Sequence, residues 1–203
     1  MGAAVNTDPL RWAERSRPLA GEVESGDLHV VLPCPGGALL AVIDGLGHGP
    51  EAAAAARLAA DVLRSSPARG PAEQIVSCHA ALKGSRGAAM LVVSVSFHAP
   101  AVAWAGVGNI EGWQVSGGRR EAMISRAGVV GYQISAPTER SRALAPGDLL
   151  LLASDGISPG FADMIVPDGD LGEMASAILS TQARASDDAL VLIARYAPEE
   201  GHR

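Results

Sequence analysis

The chain has 203 residues, of which 48% are hydrophobic, 3% aromatic and 19% charged, with a formal net charge of −6. That length suits one domain, here residues 1–203, with a core built from Ala, Val, Leu and Ile rather than from rings. The acidic balance, without a basic stripe, argues against a nucleic-acid binder and against a protein held on a membrane by charge.

The opening, MGAAVNTDPLRWAERSRP, lacks the apolar core of a signal peptide, and no apolar stretch reaches the length of a membrane span. Cys34 and Cys78 form no CxxC pair and fit reduced core thiols. The expected location is the cytoplasm. Segments 27–33 (DLHVVLP) and 38–44 (ALLAVID) are strand-length apolar runs separated by CPGG, which predicts a hairpin. A helix follows over 50–66, opened by Pro50 with Glu51 in its first turn and Ala through its middle. A second helix is expected over 71–84, between Pro71 and Gly84. The period then shortens. Segments 88–99, 101–108, 110–116 and 120–127 alternate and read as an antiparallel meander. Residues 147–156 (GDLLLLASDG) form another strand, 169–185 a third helix, and 187–196 (DDALVLIARY) a closing strand. Strands, two helices, many strands, a helix and a strand make an α+β chain with antiparallel sheets.

Acids recur at strand ends. They stand in AVIDG (41–45), LLASDG (151–156), SDDALVL (186–192) and ESGDLHVV (24–31). Any one of them could be a surface turn, because Asp and Gly are ordinary turn formers. Four together suggest more, since an unpaired carboxylate beside an apolar strand is costly. Hard divalent cations take oxygen ligands brought from separate strands. A Gly next to such an acid lets the backbone come close.

These segments, GEVESGD…AVIDGLGHG…GVGNI…LLLASDGI…SDDALVLI, resemble the metal-dependent protein phosphatase (PPM) superfamily. Within it the chain is similar to the compact bacterial SpoIIE/RsbX-like branch, for which DGLGHG is the specific motif. The motifs run in the family's order from Gly21 to Ile193. The short chain without a sensor domain resembles the stressosome phosphatases of the RsbX type most. The resemblance implies a four-layer α-β-β-α sandwich of two antiparallel sheets. Helices 50–66 and 71–84 would cover one sheet and 169–185 the other. It also implies two divalent ions, Mn²⁺ or Mg²⁺, at one end of the sandwich. Asp44 would bridge them and the Gly45 carbonyl would be a ligand. Asp155 and Asp187 would hold the first ion, Asp27 would join the metal site through water, and Asp188, which stands where eukaryotic relatives carry Asn, would be a further metal residue. The implied reaction is hydrolysis of phosphoserine or phosphothreonine on signalling proteins, with stressosome scaffold proteins as partners. Catalysis would run through Asp44, Asp155 and Asp187. Two other readings are a non-catalytic partner-binding module of the same fold and a phosphatase acting on an anti-sigma-factor antagonist. The complete set of acids favours the enzyme.

Other candidates have plainer readings. His48 could be a general acid, a supporting donor or a cap for the helix at Pro50. His29, His79, His98 and Asn109 read as structural or exposed. Arg15 and Arg17 lie upstream of the first motif, but nothing in the sequence assigns either to a phosphate. Gly45, Gly47 and Gly49 lack the Gly-Lys-Ser/Thr that a P-loop needs. Neither cysteine has the surroundings of a nucleophile, so water and not a thiolate is the expected attacking group.

Overall fold

Strands that read as unbroken apolar runs are those with both faces covered. In β4 (Gly37–Gly45), Leu39, Ala41 and Ile43 face one core while Ala38, Leu40 and Val42 face another. In β13 (Ala189–Tyr196), Leu190, Leu192 and Ala194 point one way and Val191 and Ile193 the other. The computed structural model describes residues 5–7, by their backbone, and 9–198. Two sheets lie face to face, and every strand pairing in them is antiparallel.

The first sheet has six strands in the order β1-β2-β13-β12-β7-β8. These are β1 (Val5–Thr7), β2 (Leu10–Arg17), β13, β12 (Leu149–Ala153), β7 (Glu111–Ser116) and β8 (Arg119–Ala122). The second has five, in the order β11-β6-β5-β4-β3. These are β11 (Arg140–Ala143), β6 (Ala101–Val107), β5 (Ala88–Ser96), β4 and β3 (Asp27–Cys34). A two-stranded ribbon, β9 (Gly128–Val129) with β10 (Gln133–Ile134), stands beside the second sheet through an Ala88–Val130 bridge. Helices α1 (Pro50–Ser65) and α2 (Pro71–Ala81) cover the five-stranded sheet, and α3 (Leu171–Gln182) covers the six-stranded one. The expected four-layer sandwich is the observed one. Among the described residues no helix is long and apolar enough to cross a membrane.

Two sequence expectations change. The meander is not one sheet: β5 and β6 belong to the five-stranded sheet, and the Gly108-Asn109 turn carries the chain over to β7 and β8 in the other. Strand β8 stops at Ala122 instead of running to 127. Strand β2 was not anticipated, because three Arg and a Glu dilute the apolar signal of LRWAERSR. It nevertheless pairs with β13 over eight positions, from Leu10 opposite Tyr196 to Arg17 opposite Ala189.

Small residues set the spacing between layers. Helix α1 buries Ala52, Ala53, Ala55, Ala56, Ala59 and Ala60, so its backbone comes close to β4. A Cβ on Gly45 would sit 2.1 Å from the Ala52 carbonyl oxygen, and one on Gly156 would sit 1.7 Å from that of Asp188. Both glycines that follow a candidate acid are therefore demanded by backbone packing. Gly45→Ala and Gly156→Ala should each cost about 1–3 kcal/mol, the range for forced overpacking. Leu58→Ala, on the outer face of α1 at 40% exposure, should cost less than about 0.5 kcal/mol. Urea unfolding of the three variants checks this.

Candidate metal centre

The alternation of four strands builds the site. The inward-facing rows run His29 to Asp27 on β3, Val42 to Asp44 on β4, Leu152 to Ser154 beyond β12, and Leu190 to Asp188 before β13. Each row runs on past its last core residue, on β3 from Val31 by way of His29, and ends on a polar side chain. Asp27 and Asp44 are direct cross-strand partners, which places their side chains on one face. The polar ends of two strands from each sheet thus cap one end of the inter-sheet core. Asp155 and Asp187 are one residue out of step and stand in the loops beside it.

Hydrogen bonds tie the sheets together there. The Ser154 hydroxyl donates to Asp27 Oδ2 at 2.6 Å and accepts from Leu190 N at 3.0 Å. Asp188 is 3% exposed. Its Oδ1 accepts from Leu19 N at 2.7 Å and its Oδ2 from Gly26 N at 2.8 Å, which pins the 18–26 loop. Gly26 in turn accepts from Gly45 N through its carbonyl at 3.0 Å. The Asp188 N–H donates to Asp187 Oδ1 at 2.9 Å. The Asn109 amide donates to Asp155 Oδ2 at 2.5 Å.

The charges explain what this end of the molecule needs. Burial pushes the Asp44 carboxyl up to about 9, and the charges of Asp27, Asp155, Asp187 and Asp188 push the same way. Asp27 rises to about 7, chiefly by burial; the Ser154 bond offsets part of the rise, and Asp188, Asp155 and Asp187 add to it. Asp187 is raised by burial and then by Asp155, against the lowering effect of the Asp188 N–H bond and of His48. The acids act on one another, so all five share one field. Among the described residues, no three His, Cys, Asp or Glu side chains form a ready-made cage for one ion. The carboxylates are spread over the ends of four strands. Their chemistry still fits hard divalent cations: the donors are all oxygen, the charge is negative, and such ions keep several waters.

Sequence reasoning missed Ser154, Glu22 and the bond made by Asn109. A Ser one step before Asp155, in register with Leu150 and Leu152, was the available signal for Ser154. His48 does not cap α1, whose N-cap Gly49 makes no side-chain bond. Instead its Nδ1 pairs with Glu22 Oε1 at 2.6 Å. Arg15 bonds Ser176 on α3 and the Glu14 carbonyl, and Arg17 bonds the Arg184 carbonyl. His79 Nδ1 accepts from Gly131 N, and the His29 ring lies tilted against Trp12, with centroids 5.5 Å apart. Both cysteines are free. Burial pushes the Cys78 thiol up to about 12 and raises that of Cys34.

The sign of the linkage follows. A carboxyl held above its unfolded value binds its proton more tightly when folded, so the stability it lends is present at low pH and is lost as pH rises. Chelated protein should therefore lose stability between about pH 4 and pH 9, the window set by Asp44 and Asp27. Asp44→Asn should raise the stability of chelated protein at neutral pH, because the amide carries no charge to bury. Thermal melts across pH with and without chelator measure both.

Three comparisons bear on this geometry. A solved structure described as "The bacterial stressosome: a modular system that has been adapted to control secondary messenger signaling" superposes with a TM-score of 0.86 and 32% identity, over 92% of this chain and 99% of that one. RsbX in complex with magnesium gives 0.87 at 18% identity, over 97% and 100%. The Mycobacterium tuberculosis serine/threonine phosphatase PstP/Ppp gives 0.74 at 18%, over 93% and 99%. The last two show a shared PP2C-type fold. No curated protein sequence matches the chain. The family model described as Stage II sporulation protein E (SpoIIE) matches residues 35–197, four-fifths of the chain, and the protein belongs to that family.

Proposed function

We propose that the protein is a Mn²⁺- or Mg²⁺-dependent serine/threonine protein phosphatase. The observation that carries the reading is the set of aspartates on the ends of four strands, acting on one another with no cation among the charges that most perturb Asp44. A phosphorylated side chain is nearly a dianion at neutral pH, and such a cluster alone repels it. Divalent ions bound here would reverse that sign and activate water for attack on phosphorus. Asp44, Asp155 and Asp187 are assigned as their principal holders, with the Gly45 carbonyl beside Asp44.

The remaining groups have supporting tasks. Asp27 is kept in place by the Ser154 hydroxyl, which fixes the sheets relative to each other at the point of reaction. Asp188 spends both oxygens on backbone amides, so we assign it to holding the 18–26 loop and presenting Asp187. Asn109 orients Asp155. His48, held by Glu22, is close enough to Asp187 for its charge to act on that carboxyl. The raised thiols leave no nucleophilic cysteine.

The proposed substrates are phosphoserine and phosphothreonine in stressosome scaffold proteins, which fits a cytoplasmic signalling role. Support comes from the structure that shares 32% identity, whose description concerns the stressosome.

Hydrolysis of p-nitrophenyl phosphate should require added Mn²⁺ or Mg²⁺ and stop with chelator. Asp44→Asn should lower kcat by at least about 10²-fold, whereas Cys34→Ser and Cys78→Ser should keep most of it. Activity in chelated protein, or a phosphoenzyme trapped on sulfur, would overturn the mechanism. Phosphorylated scaffold proteins followed site by site by mass spectrometry should lose phosphate faster than an unrelated phosphoprotein. Equal rates would remove the stressosome from the assignment and leave a general phosphatase.

A further inference from the structure

A cleft of about 380 Å³ opens beside the candidate metal centre. Asn109, whose amide holds Asp155, lines one end of it. Pro159 and Gly160, from the loop that follows Asp155, border it, and so does the start of β7. Glu111 of β7 stands directly opposite Ala153, two residues before Asp155. Strand alternation therefore puts the Glu111 and Asp155 side chains on one face of the six-stranded sheet, roughly 8 Å apart.

The lining combines apolar surface with one unmatched charge. Ile110, Trp113, Met123 and Pro159 supply the apolar part. The Met123 N–H bonds the Gly112 carbonyl at 2.8 Å, one step past the β7–β8 ladder, which brings Ile124, 61% exposed, alongside Glu111. Glu111 is half-buried, and among the described residues its side chain accepts one long hydrogen bond, from the Trp113 indole at 3.5 Å, and meets no cation. The neighbouring cations are engaged elsewhere: Arg120 on Asp163, and Arg119 and Arg142 on Glu121. Arg126 bridges Val107, a residue of the core under α1 and α2, which sets its side chain toward that other face.

We propose that this cleft receives the segment of a phosphoprotein substrate next to its phosphorylated residue, and that it selects a segment with a Lys or Arg two or three positions away. The proposal rests on the phosphatase reading for the phosphoserine or phosphothreonine that the aspartate cluster and its ions would take. An extended chain advances about 3.3 Å per residue, so two or three residues cover the distance from Asp155 to Glu111. A basic side chain there would meet Glu111, and its apolar stem would lie along Trp113 and Ile124. An acidic side chain would meet Glu111 with like charge. The cleft thus reads the sequence around a phosphate that is itself the same in every substrate.

The test uses the full chain, Mn²⁺ and phosphoserine peptides that carry Arg, Ala or Glu two or three residues before or after the phosphoserine. At one or more of these positions kcat/KM should fall at least about fivefold from Arg to Glu. Glu111→Gln should bring the two peptides to within about twofold of each other there. Glu73→Gln makes the same change of net charge on the exposed surface of α2 and should keep the difference. The unphosphorylated Arg peptide, titrated into the ¹⁵N-labelled, chelated chain, should give saturable shifts of the Trp113 indole and of amides in 108–113, 122–125 and 158–160, whereas the Glu peptide should not. Equal rates for all peptides, a preference that survives in Glu111→Gln or is lost in Glu73→Gln, or no saturable shifts in the cleft would each overturn the proposal. Shifts in the cleft without hydrolysis of any peptide or of p-nitrophenyl phosphate would instead sink the phosphatase reading and keep the cleft as a site for a basic segment.

Discussion

Burial of carboxylates at one end of the sandwich, with repulsion among them adding to its cost, is the constraint on which the rest of the structure turns. Asp44 is pushed furthest because it is buried and faces four other acids. A fold that places such a group at the end of its core has to hold it there by other means. Backbone contacts do this. Gly45 brings β4 against Ala52 of α1, and Gly156 brings the end of β12 against Asp188. No larger residue fits at either place, so the acids cannot drift apart without disturbing the layers.

The alanine-rich face of α1 belongs to the same arrangement. Six buried alanines let the helix lie close to the sheet, and that closeness sets where the DGLGHG loop emerges. The loop is fastened on two sides: Gly45 N–H bonds the Gly26 carbonyl and Leu46 N–H bonds the Gly87 carbonyl. The helix supplies little side-chain volume but fixes the position of Asp44. A helix of Leu and Ile would pack more apolar volume and would stand too far out to set that loop.

Much of this was legible in the residues. Acids next to Gly at strand ends marked Asp44 and Asp155, and unbroken apolar runs such as GALLAVID and DLLLLAS marked strands buried on both faces. What stayed hidden depended on pairing between distant segments. Strand β2 is charged enough to look like a surface segment until β13 is laid beside it. Ser154 looks like a turn residue until the hydroxyl is seen to reach Asp27, 127 residues away in the chain. The Gly beside each acid suggested room for an ion. The observed neighbours, the Ala52 and Asp188 carbonyls, give a packing reason that no local pattern could reveal.

The five aspartates also divide by the work they do for the fold. Asp188 accepts two backbone amides and Asp27 accepts a hydroxyl. In both, part of the cost of burying a carboxylate is returned as hydrogen bonds to the charged form. Asp44 has no such relief in its balance, since burial and every charge that perturbs it most act in one direction. The acids that knit the loops together are thus distinct from the one left most in need of positive charge. A cation bound at this end would stabilise the folded chain because it binds that state and not the unfolded one, and its charge would offset the repulsion that acts on Asp44. On the proposed function, folding and activity are opposed at that residue, and a polar neutral side chain there would ease the first while removing the second.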